Sequence, residues 1–208
     1  MRTLFLGLGA FLVLGMSGPA AADEARAWAA LAQGGQVIVM RHASAPGPEQ
    51  GHEGDPPGFR LDDCSTQRNL SASGREQAVR LGNMLRQHHV LVTKVMTSPW
   101  CRAKDTATLM NLGPAPEVSM LLHNTGAHIV GVDPRQMPNV RQIVAELGDI
   151  IQSWSRPGNL LMVSHGRTVV AVAYRDGRVS PSQGEMIVLH PLPGSPQRYE
   201  VVGSIAPP

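Results

Sequence analysis

Arg41 and His42 follow directly on the apolar run Val37-Ile38-Val39-Met40. Three of those four residues are aliphatic and two are valines, so the run reads as a buried strand. The strand ends on a guanidinium beside an imidazole. In an open α/β sheet, ligands bind at the carboxyl ends of strands. A fixed cation next to a potential nucleophile there points to chemistry on an anion, and most directly on a phosphate. Two further segments have the same form. Val90 to Thr97 reads as a strand and runs into Ser98-Pro99-Trp100-Cys101-Arg102. Leu160 to Val163 reads as a strand and runs into Ser164-His165-Gly166-Arg167. In a parallel sheet the three carboxyl ends share one edge. Two histidines and at least two arginines can therefore meet, although they lie far apart in sequence.

The elements that must position them alternate in type. A short helix from Ala25 to Gln33 stops at Gly34-Gly35, and the first strand follows from Gln36 to Met40. The stretch from Ala43 to Arg68 carries Pro46, Gly47, Pro48, Gly51, Gly54, Pro56, Pro57 and Gly58, a density of breakers that forbids a regular element. This long loop leaves directly from His42 and is expected to form a wall of the site. A helix is predicted from Ser73 to His88. Ser71 or Ser73 can cap it, Ser73 with Glu76 fits a capping box, and Ala78, Leu81, Gly82 and Leu85 share one face. Helices are also predicted over 103–112, 139–155 and 167–174, and strands over 185–190 and 199–205. Glu117 to Pro138 shows no clear period. The alternation predicts a single-domain α/β three-layer sandwich with a largely parallel central sheet.

Composition narrows the function classes. The 208 residues carry 18 Lys and Arg against 16 Asp and Glu, with 4% aromatic residues. That balance gives no bulk electrostatic case for nucleic acid or a membrane surface, and few rings for base stacking. The first residues read as a secretory signal. Arg2 is followed by an apolar or glycine stretch from Leu4 to Met16 and by Ala20-Ala21-Ala22 before Asp23. Residues 1–22 are therefore expected to be a leader and 23–208 the mature domain, periplasmic or secreted, with no stable membrane insertion after cleavage. In an oxidising compartment Cys64 and Cys101 could form one disulfide, tying the long loop to the end of a strand, or remain two thiols. Ser164 lacks a Gly-x-Ser-x-Gly elbow. Adjacent His88-His89 point in different directions and suit no metal. No cofactor or metal is implied.

Four segments together resemble the histidine phosphatase superfamily, the phosphoglycerate-mutase-like fold. They are Val37-Ile38-Val39-Met40-Arg41-His42-Ala43, Asn69-Leu70-Ser71-x-x-Gly74-Arg75-x-Gln77-Ala78, Ser98-Pro99-x-x-Arg102-Ala103-x-x-Thr106-Ala107 and Met162-Val163-Ser164-His165-Gly166, in family order. The stretch from Asp63 to Ser71 resembles a subgroup of small exported bacterial members. The resemblance implies a metal-independent histidine acid-type phosphatase. His42 would be the nucleophile that forms a phosphohistidine, and Arg41, Arg102 and His165 would bind the phosphoryl group. The substrate would be a phosphomonoester, either a sugar phosphate or a phosphorylated envelope glycan, with lipopolysaccharide heptose phosphate as one candidate. The stretches between His42, Arg102 and His165 are too short for a large cap domain.

The chain departs from the family pattern in two places. Ala43 stands where Gly is usual. The segment Ser119-Met120-Leu121-Leu122-His123-Asn124, where similar enzymes often carry a general acid after a Leu, has no carboxylate. Glu185 ranks first as the proton donor, since its strand could begin at the same edge. His123 and the loop residues Asp55, Asp62 and Asp63 follow, with Glu117 and Asp133 flanking the gap. Arg68 could join the cage and Trp100 could form a wall. The competing function is a catalytically weak or inactive phosphate cage that binds anionic glycans or phosphoproteins.

Overall fold

A computed structural model describes residues 19–47, 54–125, 137–155, 157–174 and 180–208. In chain order the elements are α1 (Pro19–Gln33), β1 (Val37–Arg41), α2 (Ala72–Gln87), β2 (Val92–Thr97), α3 (Cys101–Met110), β3 (Glu117–Val118), α4 (Val140–Gln152), β4 (Asn159–Ser164), α5 (Gly166–Ala173), β5 (Met186–Pro191) and β6 (Tyr199–Ile205). The sheet order is β3-β2-β4-β1-β5-β6. β1, β2, β3 and β4 pair in parallel, while β5 runs antiparallel to both β1 and β6.

Both faces of the sheet are covered, which explains the unbroken apolar run of β1. Ile38 and Met40 face one layer with Leu81 and Leu85 of α2 and Ala103, Ala107 and Met110 of α3. Val37 and Val39 face the other with Ile143, Leu147 and Ile151 of α4 and Val169 and Val172 of α5. Each such leucine contributes about 1.5–3 kcal/mol by leaving water. The three-layer α/β sandwich expected from the alternation is therefore the observed fold.

Differences from the sequence reading have local causes. Helix α1 begins at Pro19 rather than Ala25 and runs through the expected cleavage point before Asp23. A proline is well suited to a first helical position, and alanines follow it. Ser71 is the cap of α2, accepting from the Gly74 N–H at 3.0 Å. The expected Ser73–Glu76 box is not used. β3 has only two residues, too few to show a period. Asn139 and Gln142 form a reciprocal capping box that starts α4.

Cys64 and Cys101 are joined in a disulfide. It ties the long loop to the first residue of α3. A link spanning 37 positions should restrict the unfolded chain by about 4 kcal/mol. The paired Cys64→Ser, Cys101→Ser variant is expected to lose most of that in a urea titration, and an unchanged midpoint would contradict it.

Candidate active site

Strand register gathers the chemistry. Arg41 of β1 lies beside Ser164 of β4, and Thr97 of β2 lies beside Val163. The residues one step further, His42, Ser98 and His165, therefore leave the sheet at the same edge. Arg102 comes to it from the first turn of α3.

The motifs around these residues hold the chain just after His42 in place. Thr106 Oγ1 accepts from the Ala43 N–H at 3.0 Å, and Gln77 Oε1 accepts from the Ser44 N–H at 2.8 Å. Ser71 N–H donates to the Ser44 carbonyl at 3.1 Å. Gly74 lets α2 approach this turn, since a Cβ there would lie 1.8 Å from the Ser44 oxygen. Ala43 is fully buried, and it is not among the residues with positive φ. Its methyl group is therefore compatible with a position where similar proteins carry glycine.

His42 is 2% exposed. Its Nδ1 lies 2.7 Å from the Ala43 carbonyl, so Nδ1 carries the hydrogen and donates it. Nε2 is left with its lone pair, facing the Arg102 Nε–H at 3.2 Å. Burial pushes the imidazole pKa well below its usual value, and the charge of Arg102 pushes it further. The ring is neutral at pH 7, the form a nucleophile needs.

The His165 ring stands edge-on to His42, with centroids 5.3 Å apart. Ser98 Oγ accepts from the Trp100 N–H at 3.4 Å and is hydrogen-bonded to His165 Nε2 at 2.8 Å. His165 Nδ1 is buried and has no protein partner. Burial, then Arg102, holds its pKa well below the usual value as well. Arg41 donates through Nη1 to the Pro181 carbonyl at 2.9 Å, and its buried Nε also has no partner. A buried Arg41 N–H and a buried His165 ring nitrogen, both without partners and beside a neutral imidazole, suit the oxygens of an anion.

The cleft they share holds about 150 Å³. It is lined by Arg41, His42, Arg68, Arg102 and His165 together with Asn124, Gly166, Arg167 and Ser180. It has room for a phosphoryl group, and Arg167 is exposed at its mouth. Among the described residues no cluster of three His, Cys, Asp or Glu side chains could hold a metal ion. No described helix is long and apolar enough to cross a membrane.

The candidate proton donors are placed elsewhere. Glu185 begins at the right edge, since its carbonyl accepts from the Arg41 N–H. Its carboxylate, however, folds back to accept from the Ser182 N–H at 2.8 Å and does not line the cleft. In this structure the Glu185 side chain closes the turn before β5. His123 donates Nε2–H to the Pro138 carbonyl at 2.8 Å and stacks on Trp100. Asp62 pairs with exposed Arg60, Asp63 caps the turn at Cys64–Thr66, and Glu117 pairs with Lys94. Asp133 lies outside the described residues. Of the described candidates, Asp55 alone reaches the site's interior, and it does so through Arg102. Sequence reasoning missed Asn124 and Ser180 as lining residues. Asn124 ends the segment in which a carboxylate was sought, and that was its only signal.

Two buried histidines with lowered pKa values set a sign for stability. Near the ordinary value of 6.5 the unfolded chain binds protons that the folded chain does not. Their contribution is complete above pH 6.5 and is lost as pH falls below it, approaching about 1.4 kcal/mol per pH unit for each ring. The urea midpoint should therefore be lower at pH 5.5 than at pH 7.5, and an equal or higher midpoint would contradict this.

The histidine phosphatase superfamily (branch 1) model matches residues 37–124. No curated protein matches the chain. Among solved structures, the protein histidine phosphatase SixA complexed with tungstate superposes with a TM-score of 0.58 at 18% identity, covering 83% of this chain and 97% of SixA. The mycobacterial glucosyl-3-phosphoglycerate phosphatase superposes at 0.55 and 15%, covering 80% of this chain and 95% of that one. These likenesses are of fold. The family match spans the first three of the four ordered motifs, so over residues 37–124 the chain is similar to the histidine phosphatase superfamily.

Proposed function

We propose that this protein is an exported phosphatase that hydrolyses a phosphomonoester through a phosphohistidine on His42. One observation carries the reading: His42 donates Nδ1–H to its neighbour's carbonyl, leaving Nε2 unprotonated under Arg102. Nε2 attacks phosphorus in line, the P–O bond to the leaving group breaks, and the leaving oxygen takes a proton from solvent water. Water then attacks the phosphohistidine and releases inorganic phosphate. Arg41 Nε–H, the Arg102 Nε–H edge and His165 Nδ1–H supply hydrogen bonds to the equatorial oxygens. No step draws on a metal. The leader-like residues 1–22 support export to the periplasm. Sugar phosphates and phosphorylated envelope glycans are the substrate classes in view, and the arginine-lined cleft suits a strongly anionic one.

No carboxylate lines the cleft among the described residues. The site therefore favours leaving groups that depart without a strong acid. An aryl phosphate, an alkyl phosphate and a phosphorylated imidazole, assayed with a chelator present, test this. The imidazole and alkyl arms follow the protein histidine phosphatase and the glucosyl-3-phosphoglycerate phosphatase that share this fold. The expected order has the alkyl ester slowest, by about 100-fold or more, since a positioned acid is worth about 10²–10⁴. Glu185→Gln should leave the aryl-to-alkyl ratio unchanged. Micromolar binding of all three without turnover would instead support a phosphate-binding domain.

A further inference from the structure

Arg102 is fully buried, and its side chain is 1% exposed against 4% for Asp55. A guanidinium has five N–H donors. Nη1 spends its two on Asp55 Oδ1 at 2.6 Å and the Arg68 carbonyl at 3.1 Å. Nη2 spends one on Asp55 Oδ2 at 3.1 Å. Asp55 thus occupies the end of the guanidinium in a two-point grip. The side edge, Nε–H with the second Nη2–H, is what remains, and its Nε–H faces His42 Nε2.

Asp55 is itself fixed on all sides. Its Oδ2 accepts from Trp100 Nε1 at 3.0 Å and its Oδ1 from the Arg68 N–H at 3.1 Å. Every one of these contacts uses a carboxylate oxygen as acceptor, an arrangement that offers no proton to a leaving group. The surrounding loop is fastened to the same end of α3. Cys64 is bonded to Cys101, Gln67 Oε1 accepts from the Cys101 N–H at 3.0 Å, and Phe59 packs on Trp100.

We infer that Asp55 is a positioning residue for the phosphoryl transfer: its carboxylate grips the end of Arg102 so that the Nε–H edge is held toward the phosphoryl group at His42. The inference rests on the phosphatase reading. It requires that Asp55 stay on Arg102 when the anion binds. The opposite role, a carboxylate plug that phosphate must displace, predicts opposite results.

The test compares the wild-type protein, Asp55→Asn, Arg102→Lys, the double variant and His42→Ala on an aryl phosphate. Asp55→Asn keeps the shape but loses the charge and one acceptor. It should lower kcat by about 10- to 100-fold, the cost of loosening a group that acts on the transition state, with KM within about threefold. A lysine has no fork to grip, so Asp55→Asn should cost at most about threefold more in the Arg102→Lys background. Unchanged or raised kcat in Asp55→Asn, or full additivity in the double variant, would overturn the inference. Retained activity in His42→Ala and Arg102→Lys would instead overturn the phosphatase reading itself. A measurement on the wild-type protein covers the case in which Asp55→Asn does not fold. Nitrogen-edited NMR should show separate, slowly exchanging Arg102 Nη hydrogens that persist when inorganic phosphate is added. Their collapse to one averaged signal on phosphate addition would overturn the inference.

Discussion

His42→Ala is expected to lower kcat/KM on an aryl phosphate by about 10⁴-fold or more. Removing a nucleophile leaves only binding and electrostatic help, and in comparable covalent mechanisms that loss is of this size. The cavity left by the imidazole is small and the Ala43 carbonyl loses one donor, so stability should fall by only about 1–3 kcal/mol. Phosphate binding should survive, because Arg41, Arg102 and His165 remain. A variant that still binds inorganic phosphate but does not turn over separates the nucleophile from the cage. A loss below about tenfold would remove His42 from the mechanism.

Arg102→Ala should damage both activity and stability. The guanidinium supplies the Nε–H at His42 Nε2 and grips Asp55 in the interior. One oxyanion-type donor is worth about 10²–10³ in kcat, so a loss of about 10³-fold is expected. The fold should also weaken by about 3–5 kcal/mol, because Asp55 would keep a buried charge without its partner. Restoring stability by the paired change Arg102→Ala with Asp55→Ala, without restoring activity, would show the two effects separately. An Arg102→Ala protein that melts like the wild type would contradict the buried pair.

The strands and helices that carry the site were legible because both faces of the sheet are covered. Val37 to Met40, Leu160 to Val163 and the face of Leu81 and Leu85 announce themselves by apolar run or by period. Arg41, His42 and His165 stand at strand ends that the register of β1, β2 and β4 brings to one edge, and Arg102 reaches that edge from the first turn of α3. The course of the Glu185 side chain was not legible. Glu185 has the right residue type and the right edge, but a free N–H at Ser182 in a tight turn captures its carboxylate. Asp55 was hidden for another reason. The Gly/Pro-rich loop has no period, so nothing in the sequence says which of its aspartates turns inward. Trp100 Nε1, the Arg68 N–H and Arg102 make that choice, through contacts between residues far apart in the chain.

The most direct measurement is to quench the protein at alkaline pH during turnover of an aryl phosphate and map the modified peptide by mass spectrometry. The account predicts one phosphoryl group on His42, attached at Nε2, that disappears as substrate is exhausted and is absent in His42→Ala. Steady hydrolysis with no phosphoryl group on His42, matched by turnover in His42→Ala, would contradict it.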